Sequence, residues 1–188
     1  MGSLYVGLVH YPVLDRYGQT VTTSITGLDL HDIARTAMTF GVETYFIVEP
    51  FPSQREIAER MRRYWLDLDE PDDPTHRAAA LEPVRIVDSV EASLAIIREN
   101  QAQAPLLIAT SARPQDRAQV TYPDLRGRIE TDPQPVYILF GTGWGLAPEL
   151  LERVDGVLPP IVGPVPYNHL SVRAAAAVTL DRLRGHRE

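Results

Sequence analysis

Short apolar runs alternate with longer amphipathic stretches along this chain. Leu4–His10, Glu43–Val48, Val84–Val87, Pro105–Ala109, Val136–Phe140 and Gly156–Ile161 are brief and rich in Val, Ile, Leu and Tyr. Runs of this kind predict buried β-strands. Leu28–Phe40 sets Ile33, Ala37 and Phe40 on one helical face and ends at Gly41. Further helices are predicted from Pro52 to Trp65, over Ser89–Asn100 with Ser89 as N-cap, over Pro148–Arg153 and over Leu170–Arg184. Val13–Gly27 reads as a long connection with room for a short hairpin. The stretch 67–83, with Pro71, Pro74 and Pro83, reads as a loop, and its acidic run Asp67–Asp73 as solvated surface. Thr110–Asp132 reads as polar, Arg-rich and irregular. The alternation predicts an α/β fold, a mostly parallel sheet with helices on both faces. A length of 188 residues fits one domain over 1–188. In such sheets ligands sit beyond the carboxyl ends of the strands, so the loops after strands deserve the functional search.

Composition narrows the chemistry. The chain has no Cys, which excludes disulfides, thiolate nucleophiles and cysteine metal sites. All 18 basic residues are Arg, so no lysine-based phosphate loop or Schiff base is available. The net charge of −7 disfavours non-specific nucleic-acid binding but leaves room for a local Arg patch. Two groupings qualify: Arg60, Arg62 and Arg63 on one helix, and Arg113, Arg117, Arg126 and Arg128 in the polar segment. No pair of the five His has a metal-ligand spacing, so no metal is expected. No secretory signal or membrane-length apolar run is visible, which implies a cytoplasmic protein with no membrane partner.

Three loops follow predicted strands and carry unusual composition. Leu107–Pro114 contains Thr110, Ser111 and Arg113. Ile138–Ala147 contains Gly141-Thr-Gly-Trp-Gly145, where alternating glycines let a ligand approach the backbone. Its G-x-G-x-G spacing departs from the dinucleotide fingerprint G-x-G-x-x-G. Pro160–Ser171 holds Pro164 and Pro166 around Gly163 and leads into a helix with four consecutive alanines, Ala174–Ala177. Such a helix can approach another helix or a second subunit closely, and Asn168 or Ser171 can cap it.

With Leu28–Val48 beside them, these loops resemble the motifs of the SpoU branch of the SPOUT RNA methyltransferases. Asp29-Leu-His-Asp-Ile-Ala-Arg35 followed by Phe40-Gly-Val42 resembles the first motif, of the form N-x-G-x-x-A-R and then F-G-V. Ile138–Gly145 resembles the second, a strand ending in a glycine loop. His169-Leu-Ser-Val-Arg-Ala-Ala-Ala-Ala-Val178 resembles the third, N-x-S-V-x-x-A. The stretch 110–113 is similar to a loop of the tRNA 2′-O-methyltransferase members. All stand in the family order, and the chain is most similar to a small bacterial branch of that class.

The resemblance implies an α/β domain with a deep C-terminal trefoil knot. It implies S-adenosylmethionine as cofactor, methyl transfer to tRNA or rRNA at a ribose 2′-oxygen or a base, and a homodimer packed through the knot and the C-terminal helix. The cofactor residues it implies are Thr110, Ser111, Gly141, Thr142, Gly143, Gly145, Ile161, Gly163, Asn168, His169, Leu170 and Ser171. Arg35 matches the arginine tied to catalysis. The chain departs from the pattern at Asp29 for Asn, His31 for Gly, Gly143 for Glu and His169 for Asn. A guanidinium stays protonated, so Arg35 needs a nearby proton acceptor, and Asp29 is the candidate. Positions 29 and 35 share no face of a straight helix, so that pairing requires Asp29 to lie before the helix starts. A SPOUT-fold cofactor-binding protein with a non-RNA target or a regulatory role is the alternative, and an unrelated nucleotide-binding module the third reading.

Overall fold

A computed structural model describes residues 2–67 and 77–186. Most of the acidic run expected to be solvated lies outside the described residues, as does His76. Six strands form one sheet: β1 Leu4–Val9, β4 Thr44–Val48, β5 Val84–Val87, β6 Leu106–Ala109, β7 Val136–Gly141 and β8 Gly156–Val157. Their order is β5-β4-β1-β7-β6-β8, and every adjacent pair is parallel. The connection Val13–Gly27 contains the expected hairpin, β2 Val13–Leu14 with β3 Thr20–Val21.

Strand alternation assigns the two faces. Leu4, Val6, Leu8, Tyr45, Ile47 and Ile138 point to one core, which α1 (Gly27–Thr39), α2 (Pro52–Leu66), α5 (Tyr122–Thr131) and α7 (Val172–Arg184) cover. Tyr5, Val9, Phe46, Val48, Tyr137 and Leu139 point to the other, under α4 (Val90–Asn100) and α6 (Pro148–Leu151). Continuous apolar strands are what a sheet buried on both faces requires. Gly7 in β1 is set by this packing: a Cβ there would strike the Tyr137 hydroxyl and come within 3.0 Å of Leu139 Cδ2. That tyrosine is fully buried and donates to Ser93 Oγ at 2.9 Å. Gly7→Ala is expected to lower stability by about 1–3 kcal/mol in chemical denaturation, as core overpacking does.

Three expectations need correction. The stretch 67–83 is not all loop, because α3 (Arg77–Leu81) buries Ala80 and Leu81. Thr110–Asp132 contains α5, capped by the Thr121 hydroxyl, with Pro123 in its first turn and Leu125 and Ile129 buried one turn apart. Gly156–Ile161 pairs only over Gly156–Val157, since Pro159 and Pro160 offer no N–H to a ladder.

Strand β8 sits between the two ends of one loop. It pairs with β6 on one side, and residues 118–120 run along its other side through Val157 N–H to Ala118 O and Val120 N–H to Val157 O. The chain then continues to α7, which packs on α1 and α5. The alanine run makes that approach possible: Ala176 is fully buried within the chain itself. Arg184 ties the end of α7 to Gly2 O at 3.1 Å.

Candidate cofactor and RNA site

Beyond the carboxyl ends of β6 and β7 lies a cavity of about 760 Å³. That is ample for a nucleoside-sized ligand. Three loops wall it, as the positions after strands suggest: 110–115, 141–146 and 159–170. Asn168 Nδ2 donates to Ala112 O at 2.7 Å, which closes the third loop onto the first. The walls mix apolar groups, Phe140, Leu146, Ile161 and Leu170, with the glycine backbone of the second loop.

The glycine loop is shaped by backbone necessity. Gly143 and Gly145 have φ of +57° and +105°, values that L side chains rarely adopt. At Gly141 a Cβ would come within 2.7 Å of Leu146 N and 3.0 Å of Gly145 C. Hydrogen bonds from Trp144 N–H to Leu14 O and from Leu14 N–H to Gly145 O, both 2.9 Å, pin the loop to β2. The sequence has no local signal that the hairpin strand braces this loop, because the contact joins residues about 130 positions apart.

Of the expected cofactor residues, Thr110, Ser111, Gly141, Gly143, Gly145, Ile161, Asn168, His169 and Leu170 line the cavity. Thr142, Gly163 and Ser171 do not. Ser171 is the N-cap of α7, its hydroxyl accepting from Ala174 N–H at 3.3 Å. Gly163 stands exposed outside the walls. Thr142 turns inward: its hydroxyl donates to Val9 O at 3.0 Å and lies 2.5 Å from the Thr23 hydroxyl, which in turn meets His10 Nδ1 at 3.0 Å. His10 is fully buried, and its Nε2 has no hydrogen-bond partner. Burial pushes its pKa down to about 4, although Asp29 pulls in the opposite direction. A neutral imidazole therefore links the end of β1 to the loop after β7. Glu49, which follows β4 on the neighbouring strand, is also buried, and burial raises its pKa.

The two expected catalytic residues are not brought together. Helix α1 starts at Gly27, capped by Thr26, so Asp29 lies inside its first turn. Asp29 faces Arg173 of α7 at 3.7 Å and accepts from the Thr26 hydroxyl at 2.7 Å. Arg35 is exposed on α1, and neither residue lines the cavity. Asp29 thus joins α1 to α7 and does not stand at the cavity as the expected proton acceptor beside Arg35. Among the described lining residues there is no carboxylate, and His169 is the one imidazole. The Arg groupings divide similarly. Arg62 is spent on Leu81 O, Glu82 O and Glu59, Arg117 on Glu152, and Arg126 on Glu130 and Gly185 O. Arg113 alone of them reaches the cavity wall.

A walled cavity at the carboxyl edge of an all-parallel sheet is where α/β proteins place their ligands. Residues 3–185 match the family model of SAM-dependent RNA methyltransferases, and the chain belongs to that family. It is 42% identical over 183 residues to a tRNA (guanine-N(1)-)-methyltransferase of Oleidesulfovibrio alaskensis, covering 97% of this chain. The chain spans only 42% of that relative's length. Its fold is shared with TrmJ from Z. mobilis ZM4, at a TM-score of 0.61 and 16% identity over 100% of this chain and 70% of that one. It is shared also with the A. aeolicus TrmH/SpoU tRNA modifying enzyme, at 0.55 and 13% over 97% and 73%. The family model bears out the expected RNA methyltransferase family, the solved structures share the expected fold, and S-adenosylmethionine is the family's methyl donor.

Proposed function

We propose that the whole 1–188 unit acts as one methyltransferase domain on tRNA, with the ribose 2′-oxygen of an unpaired nucleotide as target. The carrying observation is the cavity formed by three loops at the carboxyl edge, whose glycine backbone at 141 and 143 leaves no room for side chains. The walls suit a nucleoside with a small side arm: apolar surfaces for the adenine and exposed backbone for its edge. Thr110, Gly141, Gly143, Ile161, Asn168 and Leu170 would hold it. When bound, S-adenosylmethionine supplies a methyl carbon activated by a sulfonium.

A ribose hydroxyl loses its proton as it attacks, so the site needs an acceptor. His169 fills that role in this reading, because it is the one imidazole among the described residues that line the cavity, and no carboxylate does. Arg35 clamps RNA phosphate as a fixed cation. It stands away from its own cavity, which favours a homodimer in which a second copy completes the site. Val162, Val165, Tyr167 and Leu170, exposed on the third loop, supply apolar surface for that contact. The β8 strand held between both ends of the 110–120 loop supports a knotted C-terminus.

His169→Ala is expected to cut methyl transfer by about a hundredfold or more, well beyond its effect on S-adenosylhomocysteine affinity, with partial rescue by added imidazole. Digestion of methylated tRNA to nucleosides tests the target. A 2′-O-methylnucleoside supports the reading; 1-methylguanosine would move the target to a base.

A further inference from the structure

We propose that Trp144 and Arg113 form a stacking platform at the cavity mouth that receives an unpaired nucleobase of the RNA. This rests on the RNA methyl-transfer reading above and specifies how substrate enters that site. Trp144 lines the cavity yet is 53% exposed. Its ring is therefore largely uncovered, while its main chain is held. It stands between two positive-φ glycines, its N–H bonded to Leu14 O at 2.9 Å, and Gly145 N–H bonded to Thr142 O at 3.0 Å. An exposed indole on a fixed backbone loses little freedom when a ligand covers it.

Arg113 reaches over the ring from the first loop, its guanidinium carbon 5.5 Å from the indole centroid. The Arg113 N–H is held by Ser111 Oγ at 3.0 Å, and Gln115 Nε2 donates to the same oxygen at 2.9 Å. No carboxylate among the described residues pairs with Arg113, whereas Arg117 and Arg126 each have one. With the cation over one face, the indole keeps its other face for stacking and the pair carries one positive charge. That is the chemistry of an unstacked base with its phosphate. A base inside a duplex presents no free face, so the platform selects single-stranded or extruded nucleotides.

The chain has two Trp, so Trp65→Phe leaves Trp144 as the only indole reporter. Titration of that variant with a short single-stranded RNA oligonucleotide is expected to quench its fluorescence, and the matching duplex is not. Trp144→Ala should weaken single-strand binding by about tenfold to a hundredfold while leaving S-adenosylhomocysteine affinity unchanged, with Trp144→Phe intermediate. An equal loss of S-adenosylhomocysteine affinity would make the ring a cofactor wall and overturn the platform. Single-strand binding unaffected by Trp144→Ala overturns the platform alone. A wild-type protein that binds no RNA overturns both it and the methyl-transfer reading.

Discussion

Gly141→Ala is expected to lower affinity for S-adenosylhomocysteine by about tenfold to a hundredfold in calorimetry, the equivalent of about 1–3 kcal/mol of overpacking. The reason is geometric. The added methyl would sit 2.7 Å from Leu146 N and 3.0 Å from Gly145 C, and both are backbone, so no rotamer can relieve the contact. The loop must move, and it walls the cavity from Gly141 to Leu146. Gly163→Ala provides the contrast, because nothing lies within 4 Å of a Cβ there and its φ is not positive. It should bind as the parent does. Equal affinity for the parent and Gly141→Ala would remove the glycine loop from the cofactor site.

Acid should loosen the fold through His10. In the unfolded chain its imidazole titrates near 6.5, and in the fold near 4. Below pH 6.5 the unfolded state takes up the proton first, so stability present above that pH is lost as pH falls towards 4. The loss from this one group amounts to about 3 kcal/mol. Glu49 runs the other way, since its raised pKa favours the folded state once it is protonated. Comparing the parent with His10→Leu isolates the histidine. Urea unfolding at pH 7 and pH 4.5 is expected to show the acid loss in the parent and a shallower one in the variant. Parallel pH curves would place His10 in a solvated setting and break the link through Thr23 to Thr142. That link matters for function, because it anchors the glycine loop to the end of β1.

How far the sequence discloses this molecule depends on how local each cause is. Strands buried on both faces announce themselves as short apolar runs, and α1 by Ile33, Ala37 and Phe40. Helix α5 does not, because only Leu125 and Ile129 mark its buried face among two Arg, a Gly and a Pro. The three loops were legible because each follows a strand and two of them concentrate Gly or Pro. Single side chains were less so: Thr142 and Ser171 belong to the same motifs as the lining residues, yet one turns inward and the other caps a helix. Asp29 is decided by Arg173, 144 positions away, and no local pattern reveals a partner at that distance. The same holds for β8 between β6 and residues 118–120, a pairing that neither periodicity nor composition encodes.

The central claim is that the three-loop cavity binds the methyl donor and serves transfer to RNA. The most direct measurement incubates the protein with methyl-labelled S-adenosylmethionine and tRNA from cells lacking it, alongside Gly141→Ala. The account predicts label in tRNA with the parent protein and a loss of at least about tenfold with the variant. Label that reaches tRNA equally well with Gly141→Ala, or a parent protein that binds S-adenosylhomocysteine yet labels no RNA, would contradict it.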